Sequence, residues 1–305
     1  MRHFLSSDDI DVSEQAVLLS KAALYKKTRG QPCSVLEGRS LGLIFEKPST
    51  RTRVSFEIAV KELGGNALVL RSDELQLGRG ETLQDTASVL SRYLHGLVVR
   101  TFGQERLEEL AETATIPIVN ALSDLEHPCQ ALADVLTITE RFPDPSKVNL
   151  VYFGDGNNVC HSLLLAGAKA GFGVIKVACP MGFEPIEPIV EAAAAIGSET
   201  GCVIDVTNDP TEAAKGANAL YTDVWTSMGQ EDQKQHRLDM FSGFEINSQR
   251  LADAANDAIV LHCLPAHRGE EITADVIDGT SSVVWDQAEN RLHVQKALLD
   301  WLLNA

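Results

Sequence analysis

The chain has 305 residues and a formal net charge of −17, with 44% hydrophobic and 23% charged residues. That length allows about two domains, and no apolar run approaches the ~20 residues of a membrane-spanning helix. So large a negative excess repels nucleic-acid backbones and excludes them as the natural partner.

Residues 1–11 lack the basic-then-apolar pattern of a secretory signal, so the expected location is the cytoplasm. The six cysteines, Cys33, Cys129, Cys160, Cys179, Cys202 and Cys263, are scattered with no close pair. They read as reduced thiols.

Val12, Ala16, Leu19 and Ala23 fall on one face of an N-terminal helix. Leu41 to Phe45 reads as a buried strand. Phe56, Ala59, Val60 and Leu63 then recur at i, i+3, i+4 and i+7, a helix stopped by Gly64-Gly65. From there strands and helices alternate: strand 40–46, helix 52–63, strand 66–70, helix 82–93, strand 96–101, helix 104–114, strand 116–120, helix 128–141. Thr82 and Asp85 form a capping-box pattern, and Pro128 suits a first helical position. Phe142 to Lys147, with two prolines, reads as a connector between domains. A second series follows: strand 148–153, helix 158–170, strand 173–179, helix 185–196, strand 202–206, helix 211–215, strand 217–222, helical material at 232–254, strand 258–262, a short helix near 273–278, strand 282–285 and a last helix over 288–303.

This alternation predicts an α/β fold of two doubly wound parallel-sheet domains, residues 1–141 and 148–287, with the C-terminal helix, 288–305, packing back across the junction. The unusual polar segments follow strand ends. Ligands bind outside the carboxyl ends of such strands, which predicts an active-site cleft between the two domains.

The densest of these segments joins the first strand to the second helix. Ser49, Thr50 and Thr52 supply hydroxyls, and Lys47, Arg51 and Arg53 supply positive charge at a helix start. That combination suits a phosphate; the plainer alternative is a capped helix with surface arginines. Arg100 ends an apolar strand and reads either as a ligand contact at the sheet rim or as a surface group. In His127-Pro128-Cys129-Gln130 a His and a Gln one turn apart can polarise a carbonyl or an amide. A simple helix cap over a buried Cys fits that segment equally well, and zinc would need a second close ligand pair.

Gly154-Asp155-Gly156-Asn157-Asn158 resembles a dinucleotide turn. Val159 replaces its third glycine, and no acidic residue closes strand 173–179, so Asn158 fits a substrate carboxylate better. Asp223, at the start of the loop through Glu231, can take an ammonium group. In His262-Cys263-Leu264-Pro265-Ala266-His267-Arg268-Gly269-Glu270-Glu271 three readings stand. One is a metal held by His262, His267 and Glu270, disfavoured by Pro265. A second is a nucleophilic Cys263 served by His127 or His267. The third, preferred, sets Cys263 beside the reacting centre without a covalent bond.

Ser-Thr-Arg-Thr-Arg at 49–53, His-Pro-Cys-Gln at 127–130 and His-Cys-Leu-Pro at 262–265 together resemble the carbamoyltransferase family. Asp-x-x-x-Ser-Met-Gly at 223–229 and the extension through Glu271 resemble its ornithine branch, and the motif order fits from the first helix to the last. The resemblance implies transfer of the carbamoyl group of carbamoyl phosphate to the δ-amine of L-ornithine, giving L-citrulline and phosphate in arginine biosynthesis.

It implies that Ser49, Thr50, Arg51, Thr52, Gln76, Arg100, His127, Pro128, Cys129, Gln130, Cys263, Leu264 and Arg291 bind carbamoyl phosphate. Asn158, Asp223, Ser227 and Met228 would bind ornithine, and Arg100, His127, Asp223 and Cys263 would be catalytic. Residues 227–231 would close over ornithine, and the loop 71–81 would reach a neighbouring subunit of a homotrimer. No cofactor or metal is implied. The alternatives are a carbamoyltransferase for another amine, putrescine or an acylated ornithine, and a non-catalytic phosphate-binding regulator on the same fold.

Overall fold

Phe45 lies in register with Arg100, and Phe153 with Thr222, in two separate parallel sheets. The computed structural model describes residues 1–71, 80–226 and 231–304. The chain divides into two compact units, Met1–Leu136 with Asn290–Ala305, and Thr137–Glu289.

In the first unit, β1 (Ser40–Phe45), β2 (Asn66–Arg71), β3 (Gly96–Arg100) and β4 (Ile118–Leu122) form a parallel sheet in the order β2-β1-β3-β4. Successive strand side chains point to opposite faces. Leu41, Leu43, Val98, Val119 and Ala121 accordingly enter one core, and Ile44, Leu97, Val99 and Ile118 the other. The first core is completed by α1 (Val12–Lys27), α2 (Thr50–Glu62), the start of α5 (Pro128–Arg141) and the C-terminal helix, through Leu18, Phe56, Leu132 and Leu298. The second is closed by α3 (Leu83–Tyr93) and α4 (Gln104–Thr113) through Leu83, Ala87, Leu107 and Leu110.

The second unit holds β5 (Asn149–Phe153), β6 (Val174–Ala178), β7 (Val203–Thr207), β8 (Ala219–Thr222) and β9 (Ile259–His262), all parallel, in the order β7-β6-β5-β8-β9. Val151, Phe153, Leu220 and Val260 pack with Phe241, Val276 and Ile277 on one face. α6 (Asn158–Lys169), buried at every residue after Asn158, packs with α7 (Glu187–Thr200). The remaining helices are α8 (Pro210–Ala214), α9 (Lys234–Met240), α10 (Ser248–Asp253), α11 (Ala274–Ile277) and α12 (Val284–Asn304). No helix among the described residues is long and apolar enough to cross a membrane.

The α/β fold of two parallel sheets with helices on both faces is as the alternation predicts. The strand expected at 282–285 is absent. Ser282 makes only an isolated bridge to Val260, and α12 begins at Val284. The run Val283-Val284-Trp285 looks strand-like, but Trp285 is 66% exposed while its two predecessors are buried. Helical material at 232–254 resolves into α9 and α10, separated by residues 241–247.

In each sheet the strand order reverses direction at one point, β1/β3 and β5/β8. Such switch points open a crevice at the carboxyl ends of the strands. The register brings the segments after β1, β3 and β4 to one rim, and those after β5, β8 and β9 to one rim of the other sheet.

Candidate functional site

At the rim of the first sheet, Ser49 caps α2 in an extended conformation, its Oγ accepting from the Thr52 N–H at 3.3 Å. The Ser49 hydroxyl also donates to Thr52 Oγ1 at 3.0 Å. Thr52 is 1% exposed, and Arg291 Nη2 donates to its Oγ1 at 2.6 Å. Helix starts leave N–H groups without helical acceptors and carry the positive end of the dipole, which suits an anion.

The three cations of this segment have different fates. Lys47 is nearly buried, ion-paired with Asp124, and its ammonium sits 4.4 Å from the centre of the Phe102 ring. Arg53 pairs with Glu57 one turn along its own helix at 3.1 Å. Arg51, at the first turn of α2, has no carboxylate within ion-pairing distance among the described residues. The positive charge available to a ligand is therefore narrower than the sequence count. Below this turn, Glu46 accepts from Arg106 Nη2 at 2.5 Å and from the Thr101 hydroxyl, which fixes the strand end.

Arg100 ends β3 beside Phe45, where the register with β4 shifts. The pairing of Arg100 with Leu122 brings the 123–127 turn to the same rim. Glu126 anchors that turn. Its buried carboxylate accepts from the Ser6 hydroxyl at 2.6 Å and from Ser7, backbone N–H at 2.9 Å and hydroxyl at 2.5 Å.

His127 follows, 5% exposed, its carbonyl accepting from the N–H groups of Gln130 and Ala131. Burial pushes its pKa well below the usual 6.5, and Arg291 and Arg100 push in the same direction. The imidazole is neutral at pH 7 and offers one N–H donor. Gln130 Nε2 donates to Asp134 Oδ1 at 2.8 Å, and its buried Oε1 accepts no hydrogen bond among the described residues. A buried acceptor of that kind suits an N–H of a ligand. Pro128 opens α5. The Cys129 side chain turns into the core and its thiol donates to the Asn120 carbonyl at 3.4 Å. Burial raises that thiol to about 12.

At the rim of the second sheet, the Gly154-Asp155-Gly156 turn needs glycine. A Cβ on Gly156 would fall 2.1 Å from the Pro185 nitrogen. Asn157, not Asn158, caps α6, its Oδ1 accepting from the N–H groups of Val159 and Cys160. Asn158 is the first helical residue. Asn157 Nδ2 donates to Asp223 Oδ2 at 3.0 Å, and Cys263 Sγ donates to Asp223 Oδ1 at 2.8 Å. Asp223 is 7% exposed. The turn after β5, the residue after β8 and the residue after β9 thus meet at one carboxylate. Arg237 Nη1 donates to Asp155 Oδ2 at 2.6 Å and to the Trp225 carbonyl at 2.9 Å, tying the start of the loop after β8 to the turn.

The segment after β9 is held from within. His262 Nδ1 accepts from the Leu264 N–H at 2.9 Å, and His262 Nε2 lies 3.0 Å from Glu271 Oε1. Leu264 has φ +59° and precedes a cis proline, Pro265. Among the described residues, two groups have ligand atoms close enough for a metal ion: Asp223, His262 and Cys263, and His267, Glu270 and Glu271. His262 therefore falls in a different group from His267 and Glu270, unlike the trio considered from sequence. In the first group the thiol and the carboxylate are already hydrogen-bonded to each other. In the second, Lys234 holds Glu270 at 2.8 Å.

The structure thus brings Ser49, Thr50, Arg51, Thr52, Arg100, His127, Gln130 and Arg291 to the strand-end side of the first unit, and Asp223 and Cys263 together in the second. Gln76, Ser227, Met228 and the loop segments around them lie outside the described residues. Sequence reasoning missed Asn157, Glu126 and Glu271. The double Asn of the 154–158 turn signalled the first, because either Asn can cap.

Residues 2–140 match the family model for the aspartate/ornithine carbamoyltransferase carbamoyl-P binding domain. Residues 146–302 match the model for the Asp/Orn binding domain of the same family. An ornithine carbamoyltransferase of Acidothermus cellulolyticus is 57% identical over 305 residues, covering 100% of this chain and 97% of the relative. The solved ornithine carbamoyltransferase from Pyrococcus furiosus aligns with a TM-score of 0.96 and 48% identity, covering 100% of this chain and 97% of that one. A solved N-acetyl-L-ornithine transcarbamylase shares the fold at TM-score 0.88 and 30% identity, with 99% and 100% covered.

Proposed function

The chain belongs to the aspartate/ornithine carbamoyltransferase family, and from that premise we propose that it transfers the carbamoyl group of carbamoyl phosphate to the δ-amine of L-ornithine, giving L-citrulline and phosphate in arginine biosynthesis. Residues 1–141 bind carbamoyl phosphate, residues 148–287 bind ornithine, and the tail 288–305 returns Arg291 to the phosphate side. The protein works as a cytoplasmic homotrimer.

Ser49, Thr50, Arg51 and Thr52 hold the phosphate with hydroxyls, first-turn N–H groups and one guanidinium. Arg291 orients the Thr52 hydroxyl. Gln130 accepts from the carbamoyl N–H. Arg100 and neutral His127 donate toward the carbamoyl oxygen. An alkylamine of the lysine type has a pKa of about 10.4, so roughly one molecule in a few thousand is neutral at pH 7. Asp223 attracts the ammonium, and with Cys263 holds it where it gives up one proton to solvent. The amine lone pair then attacks the carbamoyl carbon. Negative charge gathers on the carbonyl oxygen and is met by Thr52, Arg100 and His127. The carbon–oxygen bond to phosphate breaks, the phosphate leaves with the bonding pair, and it accepts the second proton, which the attacking nitrogen gives up after bonding to carbon. Asn158, Ser227 and Met228 bind the rest of the ornithine molecule.

The observation that carries this reading is Asp223, a nearly buried carboxylate meeting Cys263 and Asn157 at one strand-end rim. The test is product formation from carbamoyl phosphate with ornithine, putrescine, N-acetylornithine and aspartate compared as acceptors. Citrulline from ornithine alone supports the reading. Turnover with another acceptor overturns the ornithine assignment, and none with any overturns the enzyme assignment.

A further inference from the structure

Glu271 takes no part in the reaction described above, yet it is fully buried. Burying a carboxylate is costly unless its oxygens are hydrogen-bonded, and an apolar residue of similar size would often fold as well. Its Oε1 receives two donors: His262 Nε2 at 3.0 Å and the His267 backbone N–H at 2.5 Å. One carboxylate oxygen therefore ties the start of the 262–271 segment to its middle.

The second contact in the chain is on the other side of the His262 ring. Nδ1 accepts from the Leu264 N–H at 2.9 Å, so the ring proton belongs on Nε2, facing Glu271. The carboxylate selects the tautomer that leaves Nδ1 free to accept, as carboxylates commonly do for functional imidazoles. The backbone N–H of His262 is fixed separately, on Gln287 Oε1 at 2.9 Å. Leu264, which the Nδ1 contact holds, has φ +59°, a left-handed conformation that a leucine does not adopt without support. Cys263 lies between the two anchored residues, its thiol on Asp223 Oδ1 at 2.8 Å.

We propose that Glu271 is a positioning residue for the transfer: through His262 it fixes the left-handed turn at Leu264, and that turn delivers the Cys263 thiol to Asp223. This deepens the function proposed above and rests on its assignment of Cys263 and Asp223 to the acceptor amine. Without an acceptor at residue 271 the imidazole is released, Leu264 relaxes to negative φ, and Cys263 leaves the carboxylate.

The test compares Glu271→Met, which keeps volume but has no acceptor oxygen for this contact, with Glu271→Gln, whose amide oxygen accepts the same two donors. Both are measured in the full chain for citrulline formation and for the alkylation rate of Cys263, followed by peptide mass spectrometry. Folded Glu271→Met is expected to lose about tenfold or more in kcat/KM for ornithine, with carbamoyl phosphate affinity within about twofold of wild type. Its Cys263 alkylation rate should shift several-fold. Glu271→Gln should stay within about threefold of wild type in both readouts. Wild-type kinetics and alkylation in folded Glu271→Met would overturn the proposal, as would equal damage in Glu271→Gln.

Should Glu271→Met fail to fold, the tautomer of His262 in the wild-type protein, read from its ring nitrogen NMR shifts, decides. A proton on Nε2 supports the proposal, and one on Nδ1 overturns it. A wild-type protein that makes no citrulline would instead strike the proposed function, leaving the alkylation and tautomer readouts as independent tests of the geometry.

Discussion

Arg291 reaches Thr52 across 239 positions of sequence, its Nη2 donating to the threonine Oγ1 at 2.6 Å inside the first unit. Because the Ser49 hydroxyl donates to the same oxygen, the Thr52 hydroxyl hydrogen is left to point toward a ligand at the start of α2. Arg291→Ala frees that hydroxyl to rotate and removes a buried cation. Losing a hydrogen bond to a charged group costs about 1.5–3 kcal/mol, which is roughly a tenfold to hundredfold weakening of carbamoyl phosphate binding. Calorimetric titration of the variant checks it, and unchanged affinity would detach the C-terminal helix from the phosphate site.

The cationic turn makes a sharper contrast. Arg51→Ala should weaken carbamoyl phosphate binding by about tenfold or more, since charge-assisted contacts to phosphate are the stronger class. Arg53→Ala should change it by about twofold at most, because Arg53 is half-exposed and spends its charge on Glu57. Equal losses in the two variants would mean that the turn acts by net charge alone.

His127 predicts a pH dependence of stability. Its folded pKa is lowered well below 6.5 by burial and by the neighbouring arginines. Below about pH 6.5 the unfolded chain takes up a proton at this residue that the folded chain does not. The unfolded state then binds more protons, so stability rises with pH through this range and is lost as pH falls below it. Replacing His127 with Gln should flatten the slope of unfolding free energy between pH 5 and pH 7, measured by urea titration. A slope identical to wild type would place a proton on the folded imidazole.

Asp223→Asn keeps the size and one acceptor oxygen but removes the charge offered to an ammonium. The expected loss is in use of ornithine, about a hundredfold in kcat/KM, as for removal of one partner from a desolvated charge pair. Affinity for carbamoyl phosphate alone should be unchanged. Steady-state kinetics with each substrate varied in turn separates the two, and a purely carbamoyl phosphate defect would overturn the assignment.

Most of the architecture was legible because the inner strands β1, β3, β5 and β8 bury both faces and are bounded by polar turns, so their apolar runs have clear ends. The exception, 282–285, shows the limit: three apolar residues in a row do not distinguish a short strand from a helix start. In the site, residue types were legible and pairings were not. Lys47 and Arg53 looked equivalent to Arg51 until Asp124 and Glu57 were seen beside them. Asn157 and Asn158 differ only in which one caps α6, which the backbone decides. Cys129 sits in a motif with His127 and Gln130, but the helical turn sends its side chain to the core. Glu271 was overlooked because its partner is nine residues away around a bend, a distance that no helix or strand period relates.

The first unit's core contains Leu292, Val294, Ala297, Leu298, Leu299 and Leu302, contributed by the last residues of the chain. During synthesis, that core stays open until residues 292–302 have been made, although most of its residues emerge from the ribosome before the second unit. The second unit has no such dependence, since its residues form one continuous stretch. The later-made half is therefore free to fold before the earlier-made half is finished, reversing the usual N-to-C order of domain folding. A stop codon just before Leu292 would damage the part of the protein that was made first.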